Sequence, residues 1–321
     1  MSVFITGVAG FIGSNLAGAM LKRGGRVAGF DNLCRGSRAN LEQIASDGNF
    51  CFEVVDLADL EAYRAALGEL HRRDPVTEIW HMAGNSDIPA GVADPFVDYR
   101  DTFMTTFNTL VLMRELDIPT IAFASSSAIY GDHGDRLLTE DVGPLLPISN
   151  YGAMKLSSEA AISAAVESHL RSAFLFRFPN VIGIPATHGV IQDFMKKLRA
   201  TPENLDVLGD GTQQKGYLHV DDLVEAMLYI RDKADERINY FNIGANDAGV
   251  TVRFIAETVV ARIAPGATIR YGQGNKGWVG DVPKFSYSID KLTRLGWRPS
   301  MGSEQAIRKA VQQIALQEFG A

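Results

Sequence analysis

Residues 3–13 read VFITGVAGFIG, and this stretch limits the fold more than any other in the chain. A short apolar run ends on Gly7, and glycines recur at Gly10 and Gly13 before the helix-like GSNLAGAMLKRG. Strand, glycine turn and helix in that order are the context in which such spacing cradles a dinucleotide phosphate. Gly7 permits the tight turn, Gly10 lets a pyrophosphate reach the backbone, and Gly13 lets helix and sheet close together. The helix start adds free N–H groups and the positive end of its dipole. The alternative is a glycine-rich strand–helix turn that holds nothing.

The rest of the chain repeats the alternation. The apolar runs VFIT (3–6), RVAGF (26–30), CFEVVD (51–56), EIWHMA (78–83), TIAFAS (120–125), AFLFRF (173–178) and NYFNIG (239–244) are separated by helix-period stretches such as LADLEAYRAALGELHRRD and NYGAMKLSSEAAISAAVESH. Strands spaced by helices predict βαβ units and a buried parallel sheet. Crossover handedness then favours a doubly wound layout. The expected class is α/β: a doubly wound parallel sheet of the Rossmann type with a smaller mixed α/β substrate-binding lobe. After residue 178 the alternation weakens, and turns such as GIPATHG, LGDGTQQKG and GQGNKGWVGD become frequent, as in lobes with long functional loops. The expected division is 1–178, with 215–245 returning to it, for a dinucleotide, and 179–214 with 246–321 for a substrate.

Bulk properties exclude several classes. The chain has 321 residues, 46% hydrophobic, with a formal charge of −7 and no Lys/Arg-rich run. That is a globular composition and speaks against nucleic acid as a partner. No stretch approaches the roughly 20 apolar residues of a bilayer span, so no membrane is expected. MSVFITG lacks the layout of a signal peptide. Cys34 and Cys51 cannot frame a disulfide scaffold. The expected compartment is the cytoplasm, and no metal is expected.

Three further positions carry chemistry. Asp31 ends the second run, 18 residues after Gly13. A carboxylate there either accepts from both ribose hydroxyls of NAD, repelling the 2′-phosphate of NADP, or caps the loop; Arg35 and Arg38 follow closely. Asp56 ends the third run and either meets the adenine or caps the next helix. Tyr151 and Lys155 lie one turn apart in SNYGAMKLSSEAAI (149–162) and share a helix face. Such a pair is either surface decoration or a phenol tuned by a cation to exchange protons.

The motifs TGVAGFIG, DNLCRG, HMAG, SSSAIYGD, YGAMK and RFPN stand in the order found in the extended short-chain dehydrogenase/reductases. The chain resembles that family over nearly its whole length, and its nucleotide-sugar epimerases and dehydratases most, the UDP-glucose 4-epimerase type above all. The resemblance implies a tightly held NAD and a Tyr–Lys–Ser/Thr set: Tyr151 as base, Lys155 holding the nicotinamide ribose and favouring the phenolate, and Ser126 on the reacting hydroxyl. An unperturbed tyrosine, with a pKa of about 10, is a poor base at neutral pH. The ammonium and the charge of oxidised nicotinamide are expected to lower it. Cofactor contacts implied by the family are Gly7, Gly10, Phe11, Ile12, Gly13, Asp31, Asn32, Asp56, Leu57, Met82, Ala83, Gly84, Ser125, Tyr151, Lys155 and Pro179. His81 is read as a buried support for the turn that follows it.

Substrate contacts implied are Ser126, Ser127, Asn180, Lys215 and Trp278, for a nucleotide-diphosphate sugar. Related dehydratases carry an acidic pair at the positions of Ser127 and Ala128. An uncharged site suits reversible hydride transfer, so the expectation is epimerisation at C4 through a 4-keto sugar, with NAD recycled in place. A net dehydratase or dehydrogenase/reductase of the same family is the alternative. Several positions depart from the pattern. Lys215, and Trp278 with Lys276 nearby, stand where arginines usually clamp the diphosphate, and lysine offers a point charge in place of a fork. Thr105 stands for an asparagine near the nicotinamide and Ser86 for a lysine near the phosphates. Segments 96–116 and 150–168 resemble the family's helical interface, so a homodimer is expected.

Overall fold

Seven short runs of β-branched and aromatic residues form one sheet: β1 (Ser2–Thr6), β2 (Arg26–Asp31), β3 (Phe50–Val54), β4 (Val76–His81), β5 (Thr120–Ser126), β6 (Ser172–Phe178) and β7 (Ile238–Asn242). The structure is a computed structural model, and it describes residues 2–134, 136–274 and 286–320. The strands run parallel in the order β7-β6-β5-β4-β1-β2-β3. All seven residues of β5 are buried, as expected of a strand covered on both faces by helices. The sheet with its flanking helices is the doubly wound Rossmann arrangement.

Strand order reverses direction between β1 and β4, which pair in register from Val3↔Glu78 to Thr6↔His81. The carboxyl ends of these two neighbouring strands lie side by side at the point where open α/β sheets bind ligands. The turn at Gly7 and the turn Met82–Gly84 therefore meet.

Contacts divide the chain into two compact units. The first holds residues up to Gly131, Gly143–Arg177 and Met227–Phe241. Its core contains Phe4, Phe30, Tyr63, Leu67, Leu112, Ile121, Phe123, Ile162 and Leu175. Phe4 meets Phe30 edge-on at 4.8 Å, and Tyr63, from the helix Leu60–Arg73, packs against both rings. Each such side chain stabilises the fold by about 1.5–3 kcal/mol through burial.

The second unit holds Asp132–Val142, Phe178–Ala226 and Asn242 onward. The helices Val190–Ala200, Val252–Ile263 and Ser303–Phe319 bury Phe194, Leu198, Ile255, Val259, Ile307 and Val311 over a parallel pair of strands, Asn204–Val207 and Thr268–Tyr271. Residues 215–226 belong here because Tyr217–His219 pairs with Asn180–Ile182. The chain's return to the first unit is thus Met227–Phe241.

Candidate active site

Space explains the glycines after β1. Gly7 has φ +67°, and a Cβ there would lie 2.8 Å from the backbone of Ala83. A Cβ at Gly13 would lie 2.2 Å from the carbonyl oxygen of Gly7. The helix Phe11–Lys22 starts at Gly10 with no capping side chain, so the first-turn amides at Phe11, Ile12 and Gly13 have no side-chain acceptor and suit an anion. These features fit the pyrophosphate of NAD.

Asp31 ties this turn to β2. Oδ2 accepts from Ala9 N at 3.0 Å and Oδ1 from Leu33 N at 2.8 Å. Burial pushes its pKa up, against the lowering effect of backbone N–H groups at Leu33, Ala9 and Gly10. Of the roughly four lone-pair sites of a carboxylate, these backbone donors leave room for a ribose hydroxyl. Arg35 pairs with Asp87 at 3.1 Å, and Arg38 lies over the Phe52 ring, so both guanidinium groups have protein partners. Asn32 accepts from Cys34 N at 3.1 Å. Asp56 accepts from Ala58 N at 3.1 Å and pairs with Arg100. Leu57 is buried, its carbonyl bound by Asn108 at 2.9 Å. Arg100 and Asn108 escaped the sequence reading because each reaches its partner across more than forty residues.

A hydroxyl chain fixes the Met82–Gly84 turn. Thr6 Oγ1 accepts from Ala83 N at 3.2 Å and lies 2.8 Å from His81 Nδ1. His81 Nε2 lies 3.1 Å from Thr106 Oγ1, which donates to Thr102 O at 2.8 Å. The network assigns a neutral imidazole protonated at Nε2. Burial, with help from the Lys155 charge, lowers the His81 pKa to about 3. His81 supports the turn from inside the protein.

The helix Asn150–Ser168 carries the reactive pair and is capped by Ser149, which accepts from Gly152 N at 3.1 Å. Half-buried Tyr151 hydrogen-bonds Ser126 at the end of β5. Lys155 is 4% exposed; its Nζ donates to Ala124 O at 2.7 Å and sits 4.8 Å from the Phe123 ring centroid and 5.9 Å from that of Tyr151. Burial lowers the Lys155 pKa to about 8, with Asp98 and Glu159 opposing. For Tyr151 burial is the largest influence and raises the pKa, the Ser126 hydrogen bond opposes it, and Asp98 adds to the rise. This differs from the expected phenol already acidified by lysine: the ammonium is turned to a strand carbonyl. Thr105 Oγ1 bonds back to Asp101 O and Thr102 O. Thr102, in its place, reaches the turn, accepting from Asn85 N at 3.0 Å.

Beneath the pair lies an ion pair the sequence reading missed. Arg177 on β6 grips Glu159 with Nε at 3.0 Å and Nη2 at 2.7 Å, and donates to Tyr130 Oη at 3.1 Å. Ser125 donates to Glu159 as well, so its hydroxyl proton is committed there. Ser127 opens a short turn in which Ser126 accepts from Ala128 N. In the second unit, Pro179 precedes the strand Asn180–Ile182, and Lys215 pairs with Val250. Trp278 and Lys276 lie outside the described residues.

Residues 3–244 match the NAD dependent epimerase/dehydratase family. The chain is 27% identical to UDP-glucose 4-epimerase of Azospirillum brasilense over 92% of its own length and 87% of that protein's. It superposes on a crystal structure of UDP-galactose 4-epimerase with a TM-score of 0.85, at 32% identity, covering 99% of this chain and 100% of the other. A Thermus thermophilus UDP-glucose 4-epimerase complex with NAD gives a TM-score of 0.82 at 28% identity, with 98% of each chain covered.

Proposed function

The chain belongs to the NAD dependent epimerase/dehydratase family, and from that membership we propose that it is a UDP-sugar 4-epimerase. One observation carries the reading: Tyr151 is hydrogen-bonded to Ser126 with the buried ammonium of Lys155 beside its ring. NAD, held at the glycine turn and Asp31, would supply reversible hydride transfer at the sugar carbon. Tyr151 takes the C4 hydroxyl proton and gives it back after the transient 4-keto sugar has turned over. Ser126 orients that oxygen with a hydroxyl that both donates and accepts. Lys155 keeps a positive charge beside the phenol at neutral pH. Ser127 and Ala128 bring no acid to the site, so nothing at those positions promotes loss of water. Asn180 and Lys215 are assigned to the sugar-nucleotide diphosphate, and the first unit to the dinucleotide.

The test supplies UDP-glucose without added NAD. The expected product is UDP-galactose, with the enzyme's NAD content unchanged. Tyr151→Phe should retain the fold and NAD but lose nearly all turnover, a factor of at least about 10² for a lost general base. Full activity in that variant would refute the assignment. A keto-deoxy product would place the chain with the dehydratases, and a panel of UDP-, GDP-, CDP- and dTDP-sugars read by NMR fixes the nucleotide.

A second copy of the chain is proposed as partner. Phe96 and Phe107 are 73% and 51% exposed. They belong to a row in which Phe96, Tyr99, Phe103 and Phe107 follow one another at 6.1–6.4 Å, and exposed rings in series mark an interaction surface. The cytoplasm is proposed on the free thiols of Cys34 and Cys51. Among the described residues, no helix is long and apolar enough to cross a membrane.

A further inference from the structure

The segment between Gly84 and Thr102 holds a buried carboxyl that the mechanism above does not use. Asp98 is fully buried. Its Oδ1 accepts from Asn85 Nδ2 at 2.8 Å, and Oδ2 has no hydrogen-bond partner among the described residues. A buried carboxyl with one idle oxygen is costly and calls for a reason. Its neighbours supply one. A Cβ on Gly91 would lie 1.7 Å from Oδ2, so Asp98 presses directly on that residue. Gly91 O accepts from the side chain of Asn150, next to Tyr151, at 2.9 Å. At the other end of the segment, Gly84 would place a Cβ 3.1 Å from Lys155 Nζ and 3.5 Å from Thr102 Oγ1. Asn85, which binds Asp98, also donates its N–H to Thr102. A π-helical turn, Tyr99–Met104, begins immediately after Asp98. Such turns recur at functional sites.

We propose that Asp98 is a positioning residue for the Tyr151–Lys155 pair, clamping the segment Gly84–Gly91 against Lys155 and against Asn150 beside Tyr151, and setting the pH range in which Tyr151 exchanges a proton beside a charged Lys155. This rests on Tyr151 as the proton-transfer group. The charged surroundings are mixed. Asp87 and Asp101 raise the Asp98 pKa along with burial, the largest cause, while Asn85 and Lys155 lower it. Glu159, on the same helix as Lys155, is gripped by Arg177, and Arg100 is taken up by Asp56 and Asp101. Ionised Asp98 is thus the anion whose influence is felt at Tyr151 and Lys155 together. It holds the proton on both, and its removal moves both titrations toward acid.

Asp98→Asn preserves the shape and removes the charge. Asn85→Ala keeps the carboxyl and removes its hydrogen-bond donor, so it serves where the first variant folds poorly. UDP-glucose turnover against pH, measured on NAD-loaded protein, should show both limbs displaced to lower pH in Asp98→Asn, which then outruns the wild type on the acid side. Independently of turnover, the ultraviolet phenolate signal that Tyr151→Phe abolishes should appear at lower pH in Asp98→Asn. Activity reduced at every pH with unmoved midpoints, and an unmoved phenolate signal, would overturn the proposal and leave Asp98 a structural residue. If the wild type turns over no UDP-sugar, the functional reading fails while the phenolate titration still decides this one.

Discussion

At the residue scale, the site depends on one side chain kept charged and another kept neutral. Lys155 retains its proton up to about pH 8 in spite of burial, while His81 remains neutral down to about pH 3. The second has a consequence for stability. The unfolded chain protonates His81 near its ordinary value of 6.5, and the folded chain does not until about 3. Between those values the unfolded state binds the extra proton, so stability is lost as pH falls through that window. In His81→Gln, denaturant midpoints should fall less steeply from pH 6.5 to pH 4 than in the wild type; parallel curves would show that the ring plays no part. Tyr151 and Lys155 could be paired from the sequence because residues four apart share a helix face, but only the family resemblance gave the pair a role. Asp98, Arg100 and the Glu159–Arg177 pair were not legible, because each gains meaning from a partner that only the fold brings near.

At the element scale, strands and helices were legible wherever burial imposes a period: fully apolar runs for the central strands, and i, i+4 spacing for the covering helices. Irregular elements were not. The π-helical turn Tyr99–Met104 has no periodic signature, and Thr105 and Thr106 complete it by donating to the carbonyls of Asp101 and Thr102. The glycine turn was legible in full, because its residue choice follows from space. Gly13→Ala drives a methyl group against the Gly7 carbonyl, backbone against backbone, and neither side can yield as a flexible side chain would. The expected cost is about 1–3 kcal/mol of folding stability, with NAD lost from the purified protein. Wild-type NAD content in Gly13→Ala, measured after acid release, would show that the turn has more room than its geometry allows.

At the scale of the whole molecule, two features bear on assembly. The row from Phe96 to Phe107 offers a second copy an apolar face. Phe107→Glu should halve the mass seen by light scattering while leaving NAD bound; a wild-type protein already monomeric at micromolar concentration would remove the dimer. The other feature is the route of the chain. The sheet's outermost strand, β7, is Ile238–Asn242, separated from its neighbour β6 by some sixty residues, most of which pack with the second unit. During synthesis, therefore, the β6 backbone leaves the ribosome with one row of amide and carbonyl groups unmatched, and it waits for the intervening segment to be translated. Exposed edges of this kind invite pairing with other chains. A gene fragment ending near residue 178 would make that transient edge permanent, so an N-terminal piece of this length is expected to associate through it.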